Sequence, residues 1–187
     1  DLEQMDQIVA QFLDYARSDT ARPTGDIDLS ALVAQTLAAS RLPQDETAGI
    51  ELHIDDGIHV DGLAVELSRA VANLLANADR YGRDPATGRL ELSVRLHSTT
   101  RGAVLEVADR GPGIPAADVD ALLRPFVRGD AARSGVKGAG LGLAIVARVA
   151  KLHGAKLLLA GNEPSGLRVT MHFPPRRGQD ARPPSAG

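Results

Sequence analysis

Apolar residues recur with helical spacing in several segments of the chain. In residues 1–17 they stand three or four apart and form a heptad seam, at Leu2, Met5, Val9, Phe12 and Ala16. The same spacing also suits a helix that packs on its own domain. The strongest helical pattern covers residues 63–81, whose apolar stripe holds Leu63, Leu67, Ala70, Val71, Leu74, Leu75 and Ala78. Further helices are expected from an N-cap at Ser30 to about Ser40, near 117–124 and over 141–152.

Alternation of apolar and polar residues predicts the strands. Residues 89–97 alternate through the whole segment, and residues 103–108 follow after a polar turn. Shorter strands are expected at 50–54, 156–160 and 167–173. The order of helices and strands over residues 61–173 predicts an α+β fold, a two-layer α/β sandwich with a mixed or antiparallel sheet covered on one face by helices.

Breaker residues divide the chain. Arg22, Pro23, Thr24 and Gly25 lie in a stretch that reads as a linker over residues 19–28. We therefore expect a helical segment at 1–18, a folded domain at 29–175 and a disordered tail at 176–187, which is rich in Pro, Arg and Gly.

Composition narrows the class of protein. Hydrophobic residues make up 43% and charged residues 24%, as in a globular chain with a core. The absence of Cys excludes disulfides, thiolate metal sites and a thiol nucleophile. Residues 1–60 hold twelve acids and three Arg, whereas the remainder holds twelve acids and eighteen Lys or Arg, which suggests an anionic ligand for the later part. The longest apolar run, 139–147, is too short to span a membrane, and the chain starts without Met, so we expect an excised piece of a longer protein.

One polar cluster lies on the predicted helix 63–81. Asn73 and Asn77 are four residues apart, so both project from one face, and Arg80 and Tyr81 end the helix. Asparagine is a poor helix former, so two in one helix interior require a reason. An amide oxygen is a hard ligand suited to Mg²⁺, and arginine suits phosphate. The alternative is that both asparagines cap neighbouring backbone groups.

Two glycine-rich clusters follow. Asp109 comes directly after a strand and begins the run 109–114, where alternate glycines let the backbone turn and approach a flat ligand. Gly138, Gly140 and Gly142 open the helix 141–152, where backbone amides can bind phosphate. Taken alone, the first cluster is an ordinary turn, and the second lacks the strand or the Lys-Ser/Thr ending of known phosphate motifs.

The order of these clusters is more specific than any one of them. With the run 125–130 (Pro-Phe-Val-Arg-Gly-Asp) between the last two, residues 66–173 resemble the catalytic, ATP-binding domain of bacterial sensor histidine kinases. The runs 69–73 and 126–130 resemble the EnvZ-like osmosensor type. That domain belongs to a superfamily shared with DNA gyrase, Hsp90 and MutL, so the resemblance implies the Bergerat ATP-binding fold, with ATP and Mg²⁺ as its ligands.

The resemblance also implies roles for single residues. Asn77 would be the Mg²⁺ ligand and Asp109 would accept the adenine amine. The other residues expected to contact the nucleotide are Arg80, Tyr81, Gly111, Gly113, Ile114, Gly138, Gly140, Leu141 and Gly142. Arg128 would reach the terminal phosphates, and residues 129–140 would form a lid over ATP.

Asn73 departs from the ATP-hydrolysing members of the superfamily, which carry a glutamate there as the base for water. An amide cannot take that proton, which favours phosphoryl transfer to a protein side chain over hydrolysis. Asn73 and Arg128 are accordingly the expected catalytic residues.

The phosphoacceptor histidine is expected outside this chain. Residues 1–18 resemble the second helix of the dimerisation bundle, and none of the five histidines has the sequence context of an acceptor. The resemblance therefore implies transfer of the γ-phosphate to a histidine of the dimerisation domain and on to a response regulator. It also implies a homodimeric, membrane-anchored protein with this domain on the cytoplasmic side of the bacterial inner membrane. Two alternatives remain: an anti-sigma-type serine kinase and a non-catalytic nucleotide-binding sensor module.

Overall fold

The computed structural model describes residues 25–43, 45–123 and 142–176. The helices are α1 (Leu29–Ala39), α2 (Ala64–Tyr81), α3 (Val119–Leu122, after a 3₁₀ turn at Ala116–Asp118) and α4 (Gly142–Leu152). The strands are β1 (Gly25–Asp28), β2 (Ala48–Ile54), β3 (His59–Gly62), β4 (Leu90–Thr99), β5 (Gly102–Asp109), β6 (Lys156–Gly161) and β7 (Leu167–Phe173). The predicted helix over residues 1–17 and the tail beyond residue 176 lie outside the described residues.

Five strands form a mixed sheet in the order β2-β4-β5-β7-β6. β2 runs parallel to β4, and the other neighbouring pairs are antiparallel. A separate antiparallel ribbon joins β1 to β3. The mixed sheet and its helices confirm the predicted α+β class.

The core lies between one face of the sheet and the helices α2 and α4. The predicted stripe of α2 is buried from Leu67 to Ala78, and α4 buries Leu143, Ile145, Val146 and Val149. On β4 the alternation works as expected, because Leu90, Leu92, Val94 and Leu96 are buried while Arg95 and His97 are exposed. This packing fixes which side chains at the strand ends face the helices.

The expectation that residues 19–28 form a linker is wrong for the last four of them. Gly25–Asp28 forms β1, with Ile27 opposite Val60 and Asp26 opposite Asp61. Asp26 also bonds His59 Nδ1 and Arg176 Nη2, both at 2.9 Å. A four-residue strand has too short an alternation to be recognised, and its pairing with β3 depends on residues more than thirty positions away.

Ser30 is not the N-cap of α1, contrary to expectation. Asp28 caps the helix, and its side chain accepts the Ala31 N–H at 2.8 Å. Ser30 is buried instead, where Oγ donates to the Asp55 carbonyl at 2.6 Å and accepts the Ile58 N–H at 3.0 Å. No helix within the described ranges is long and apolar enough to cross a membrane.

Candidate nucleotide-binding site

Asp109 ends β5 on the face of the sheet that the helices cover. Its position opposite Leu92 places it on that face, and only 9% of the residue is exposed. Its Oδ1 accepts two backbone N–H groups, from Gly111 at 2.9 Å and from Leu167 at 3.0 Å. Burial raises the pKa of the Asp109 carboxyl, and these two hydrogen bonds oppose the rise only in part. Both bonds use one oxygen, so Oδ2 is the atom left for a ligand.

Glycines allow the backbone to close around Asp109. A Cβ at Gly82, directly after α2, would stand 2.6 Å from the Asp109 Cβ, and one at Gly111 would collide with the Tyr81 carbonyl oxygen. Gly113 has a φ of 75°, in the left-handed region, and a Cβ there would stand 2.8 Å from the Gly166 carbonyl oxygen. The end of α2 and the loop after β5 therefore approach each other at a distance that side chains would prevent.

The turn between β6 and β7 bonds the backbone of Asp109 and of the residue that follows it. Asn162 Nδ2 donates to the Asp109 carbonyl at 2.7 Å, and its Oδ1 accepts a bond from Arg168 at 2.8 Å. Ser165 Oγ donates to the Arg110 carbonyl at 3.2 Å. Neither Asn162 nor Ser165 was predicted from the sequence as a site residue. The cluster of turn-forming residues over 161–166 marks a loop, but nothing in it indicates a contact with residue 109.

The two asparagines of α2 differ in their surroundings. Asn73 Nδ2 donates to the Arg69 carbonyl at 2.9 Å, one turn earlier, so the backbone-capping alternative holds for this residue. Asn77 lies against the start of α4, where a Cβ at Gly142 would stand 2.7 Å from its Oδ1. The structure therefore brings the second asparagine against the N-terminus of α4.

Three further predicted site residues lie at the end of α2 and in the loop after β5. Arg80 is exposed and Tyr81 is 38% exposed at the end of α2, three and four residues after Asn77 and so close to it on the helix surface. Ile114 is partly buried against the core. The predicted site residues that lie outside the described part are Arg128, Gly138, Gly140 and Leu141.

His153 is a buried residue with a structural role. Its Nε2 accepts the Leu63 N–H at 3.0 Å and its Nδ1 bonds the Val149 carbonyl at 2.8 Å, which joins the end of α4 to the start of α2. Burial lowers the pKa of the His153 imidazole, against the opposing effects of the Val149 bond and the Glu66 charge. Both ring nitrogens are occupied, as expected for a histidine that carries no chemistry.

No cluster of three or more His, Asp or Glu in the described ranges could hold a metal ion. Within that part of the chain, the amide oxygen of Asn77 would be one ligand of a divalent cation, beside oxygens that the substrate and water bring. That donor set fits Mg²⁺, which keeps several waters and takes few protein ligands when it binds with a phosphate substrate.

The chain belongs to the histidine kinase-, DNA gyrase B- and HSP90-like ATPase family, whose model matches residues 62–177. The matched segment contains the β5 terminus, α2 and α4, the elements that form the site described above.

Named relatives narrow the class. The chain is 33% identical over 191 residues to the sensor protein kinase PmrB of Pseudomonas aeruginosa, with 100% of this chain and 39% of PmrB covered. It is 36% identical over 183 residues to the signal transduction histidine-protein kinase/phosphatase MprB of Mycolicibacterium smegmatis, with 94% of this chain and 36% of MprB covered. The chain thus spans less than two fifths of either curated relative.

Solved structures agree with this class. The mycobacterial sensor histidine kinase MprB superposes with a TM-score of 0.70 at 30% identity, covering 81% of this chain and 99% of that one. The histidine kinase domain of the Escherichia coli osmosensor EnvZ gives a TM-score of 0.58 at 32% identity, covering 91% and 100%. This chain is thus a catalytic, ATP-binding domain of the sensor histidine kinase type, which disfavours the serine-kinase and non-catalytic alternatives.

Proposed function

We propose that this domain binds Mg-ATP and positions its γ-phosphate for transfer to a histidine of a separate phosphoacceptor domain. The observation that carries the proposal is the buried carboxylate of Asp109, whose Oδ1 takes two backbone donors while Oδ2 remains for a ligand. A carboxylate oxygen accepts the exocyclic amine of adenine but repels the carbonyl oxygen that guanine has at that position. Asp109 therefore supports ATP as the nucleotide.

The walls of the base pocket are assigned to residues around Asp109. Gly111 and Gly113 have no side chains, so an adenine ring can come close to the backbone there. Tyr81 and Ile114 supply apolar surface for the faces of the ring, because each retains exposed area beside the loop. The close approach of Gly82 and Gly111 to their neighbours supports a pocket whose shape exists before the nucleotide binds.

The phosphates are assigned to the start of α4 and to nearby arginines. Free backbone N–H groups at a helix N-terminus bind phosphate, and Gly142 lets it approach closely. Arg80 is exposed on the same stretch of α2 as Asn77, where its guanidinium can reach a phosphate oxygen. Arg128 and the residues Gly138, Gly140 and Leu141 are assigned to the terminal phosphates by the resemblance alone.

Asn77 is the residue that would hold Mg²⁺, through Oδ1. Gly142 supports this assignment, because a side chain at position 142 would crowd that oxygen at 2.7 Å. When bound, Mg²⁺ neutralises charge on the β- and γ-phosphates.

The transfer needs little covalent chemistry from this domain. A lone pair on the attacking histidine nitrogen forms the N–P bond while the bond from phosphorus to the bridging oxygen breaks, and its electrons leave with ADP. Arg80 and Arg128 orient the phosphates and offset their charge. Asn73 offers no carboxylate to deprotonate water, and its amide already bonds the Arg69 carbonyl, so hydrolysis is expected to be slow.

The partners proposed for the whole protein follow from the named relatives. Residues 1–18 would belong to a dimerisation domain that supplies the histidine, and a response regulator would receive the phosphate. The protein would be a homodimer anchored in the bacterial inner membrane, with this domain on the cytoplasmic side. The relatives are named sensor kinases and are more than twice as long as this chain, which leaves room for those parts.

A phosphotransfer assay tests the proposal. The chain is mixed with labelled ATP, Mg²⁺ and the separately produced phosphoacceptor domain of a relative such as PmrB. We expect an acid-labile, alkali-stable label on that domain, lost in Asp109→Ala and retained in Arg101→Ala, a matched change in the exposed turn between β4 and β5. An acid-stable label, no transfer from a chain that binds ATP, or rapid ATP hydrolysis would contradict the proposal.

A further inference from the structure

Among the described residues, β2 is an end strand of the sheet and no strand pairs with its outer edge, whose backbone groups are available for pairing. On the inner edge, the Thr47 carbonyl accepts the Leu90 N–H at 3.0 Å and the Asp55 N–H donates to the Leu96 carbonyl at 2.9 Å. Successive residues of a strand direct their backbone groups to opposite edges, so the odd-numbered residues face β4. The residues whose N–H and C=O groups face outward are therefore Ala48, Ile50, Leu52 and Ile54.

The side chains of β2 divide between the two faces of the sheet. Leu52 pairs with Val94, so it lies on the helix-covered face, yet half of it is exposed at the edge. Glu51 and His53 point to the opposite, open face and are both exposed. The edge thus combines an exposed leucine with one acidic and one basic neighbour.

We propose that two copies of this chain associate through β2, antiparallel, with Leu52 opposite Leu52 of the second copy. The proposal goes beyond nucleotide binding and does not depend on it. In this register Leu52 faces its counterpart and Ile50 faces Ile54, all with outward backbone groups, so each of these pairs exchanges two hydrogen bonds. The two five-stranded sheets then join into one.

Charge complementarity identifies a second copy as the partner. The register about Leu52 sets Glu51 opposite His53 of the second copy, and symmetry repeats the pair. These residues occupy the non-hydrogen-bonded positions, where opposed side chains are closest. Arg95 is the neighbour of His53 on β4, so the incoming carboxylate also meets a guanidinium.

The other end strand lacks this complementarity. On β6, an antiparallel register about Leu158 would set Lys156 opposite Ala160, with no acid to face the lysine. The two edges therefore differ in charge pattern although both expose a leucine, Leu52 at 50% and Leu158 at 41%. A single edge-to-edge contact buries little area, so we expect a weak, concentration-dependent dimer.

Sedimentation velocity of the full chain from about 10 μM to about 1 mM tests the proposal, a range that suits weak contacts. Wild type is expected to move from monomer toward dimer. His53→Glu places two carboxylates opposite each other twice per dimer, and Glu51→Lys directs an ammonium group toward the Arg95 guanidinium of the second copy. Each is therefore expected to lower the association constant by about tenfold or more. An equimolar mixture of these two variants restores both attractive pairs and is expected to dimerise again, as is the Glu51→Lys/His53→Glu double variant.

Controls separate this interface from others. Leu158→Arg on β6 is expected to leave dimerisation unchanged. Leu52→Pro removes an outward N–H without touching the bonds to β4, and is expected to abolish the dimer while circular dichroism stays that of the folded chain. A wild type that remains monomeric at about 1 mM overturns the proposal. So does a dimer that survives both single charge changes, which would point instead to the apolar seam in residues 1–17.

Discussion

Asp109 and His153 are both buried titratable side chains, and burial moves their pKa values in opposite directions. The pKa of the Asp109 carboxyl is raised and the pKa of the His153 imidazole is lowered, because burial disfavours the charged form of each. They differ in how their polar atoms are used. Both nitrogens of His153 bond the backbone, whereas both donors to the Asp109 carboxylate use Oδ1. An atom left over for a ligand, rather than burial, therefore distinguishes the residue proposed to bind adenine from the structural one.

The largest loss of stability is expected from replacing His153, the structural residue. His153→Ala leaves the part-buried Leu63 N–H without its acceptor and opens a cavity, so we expect a loss of about 2–4 kcal/mol in the free energy of unfolding. For a domain of this size that lowers Tm by roughly 4–16 °C. His97→Ala, at an exposed position on β4, is the matched control and should change Tm little. An equally small change in both variants would remove the structural role from His153.

Asp109→Asn is expected to stabilise the nucleotide-free domain at neutral pH. The fold favours the neutral form of this carboxyl, so its contribution to stability is complete below the ordinary pKa of 3.8 and is lost as pH rises through the raised pKa. The amide mimics the neutral form at every pH. Its advantage should therefore appear above the raised pKa and shrink on acidification, each kcal/mol being about 2–4 °C in Tm.

The opposite pH dependence is expected from His153. The fold favours neutral imidazole, so its contribution is complete above the ordinary pKa of 6.5 and declines as pH falls toward the lowered value. Thermal denaturation of wild type, Asp109→Asn and His153→Ala, measured from below pH 3.8 to above pH 6.5, separates the contributions of the two residues to stability. A destabilised Asp109→Asn at neutral pH would mean that the carboxylate's hydrogen bonds outweigh the cost of its burial.

A smaller effect, on the affinity for ATP, is expected from changes in the turn between β6 and β7. Asn162→Ala removes the bond to the Asp109 carbonyl, and a lost hydrogen bond of about 0.5–1.5 kcal/mol corresponds to a two- to tenfold weaker affinity for ATP. Arg168→Ala removes the partner of the Asn162 amide oxygen and an ion pair with Glu106 at 3.8 Å, leaves the bond to the Asp109 carbonyl in place, and should change affinity less. Calorimetric titration with a non-hydrolysable ATP analogue measures both. Equal affinities in wild type and Asn162→Ala would show that the loop does not position Asp109.

The local pattern of apolar residues was enough to predict the helices and strands that are long enough to show a period. The apolar stripe of α2 and the alternating apolar residues of β4 are buried as expected. Asp109 is the last residue of β5, at the strand end that the sequence predicts. The ribbon of β1 and β3 was missed, because each strand is four residues long. The second donor to Asp109 was missed for another reason. Leu167 N lies 58 residues away and reaches the carboxylate only through the register of β5 and β7.

Binding of ATP and of inosine triphosphate, which lacks the exocyclic amine, measured by calorimetry on wild type and Asp109→Ala, tests the central claim most directly. We expect wild type to prefer ATP by about tenfold or more, because a buried carboxylate oxygen without its donor costs about 1–3 kcal/mol. Asp109→Ala should bind both nucleotides with similar, weakened affinity. Equal affinities in wild type, or an undiminished preference in Asp109→Ala, would contradict the assignment of Asp109 to the adenine amine.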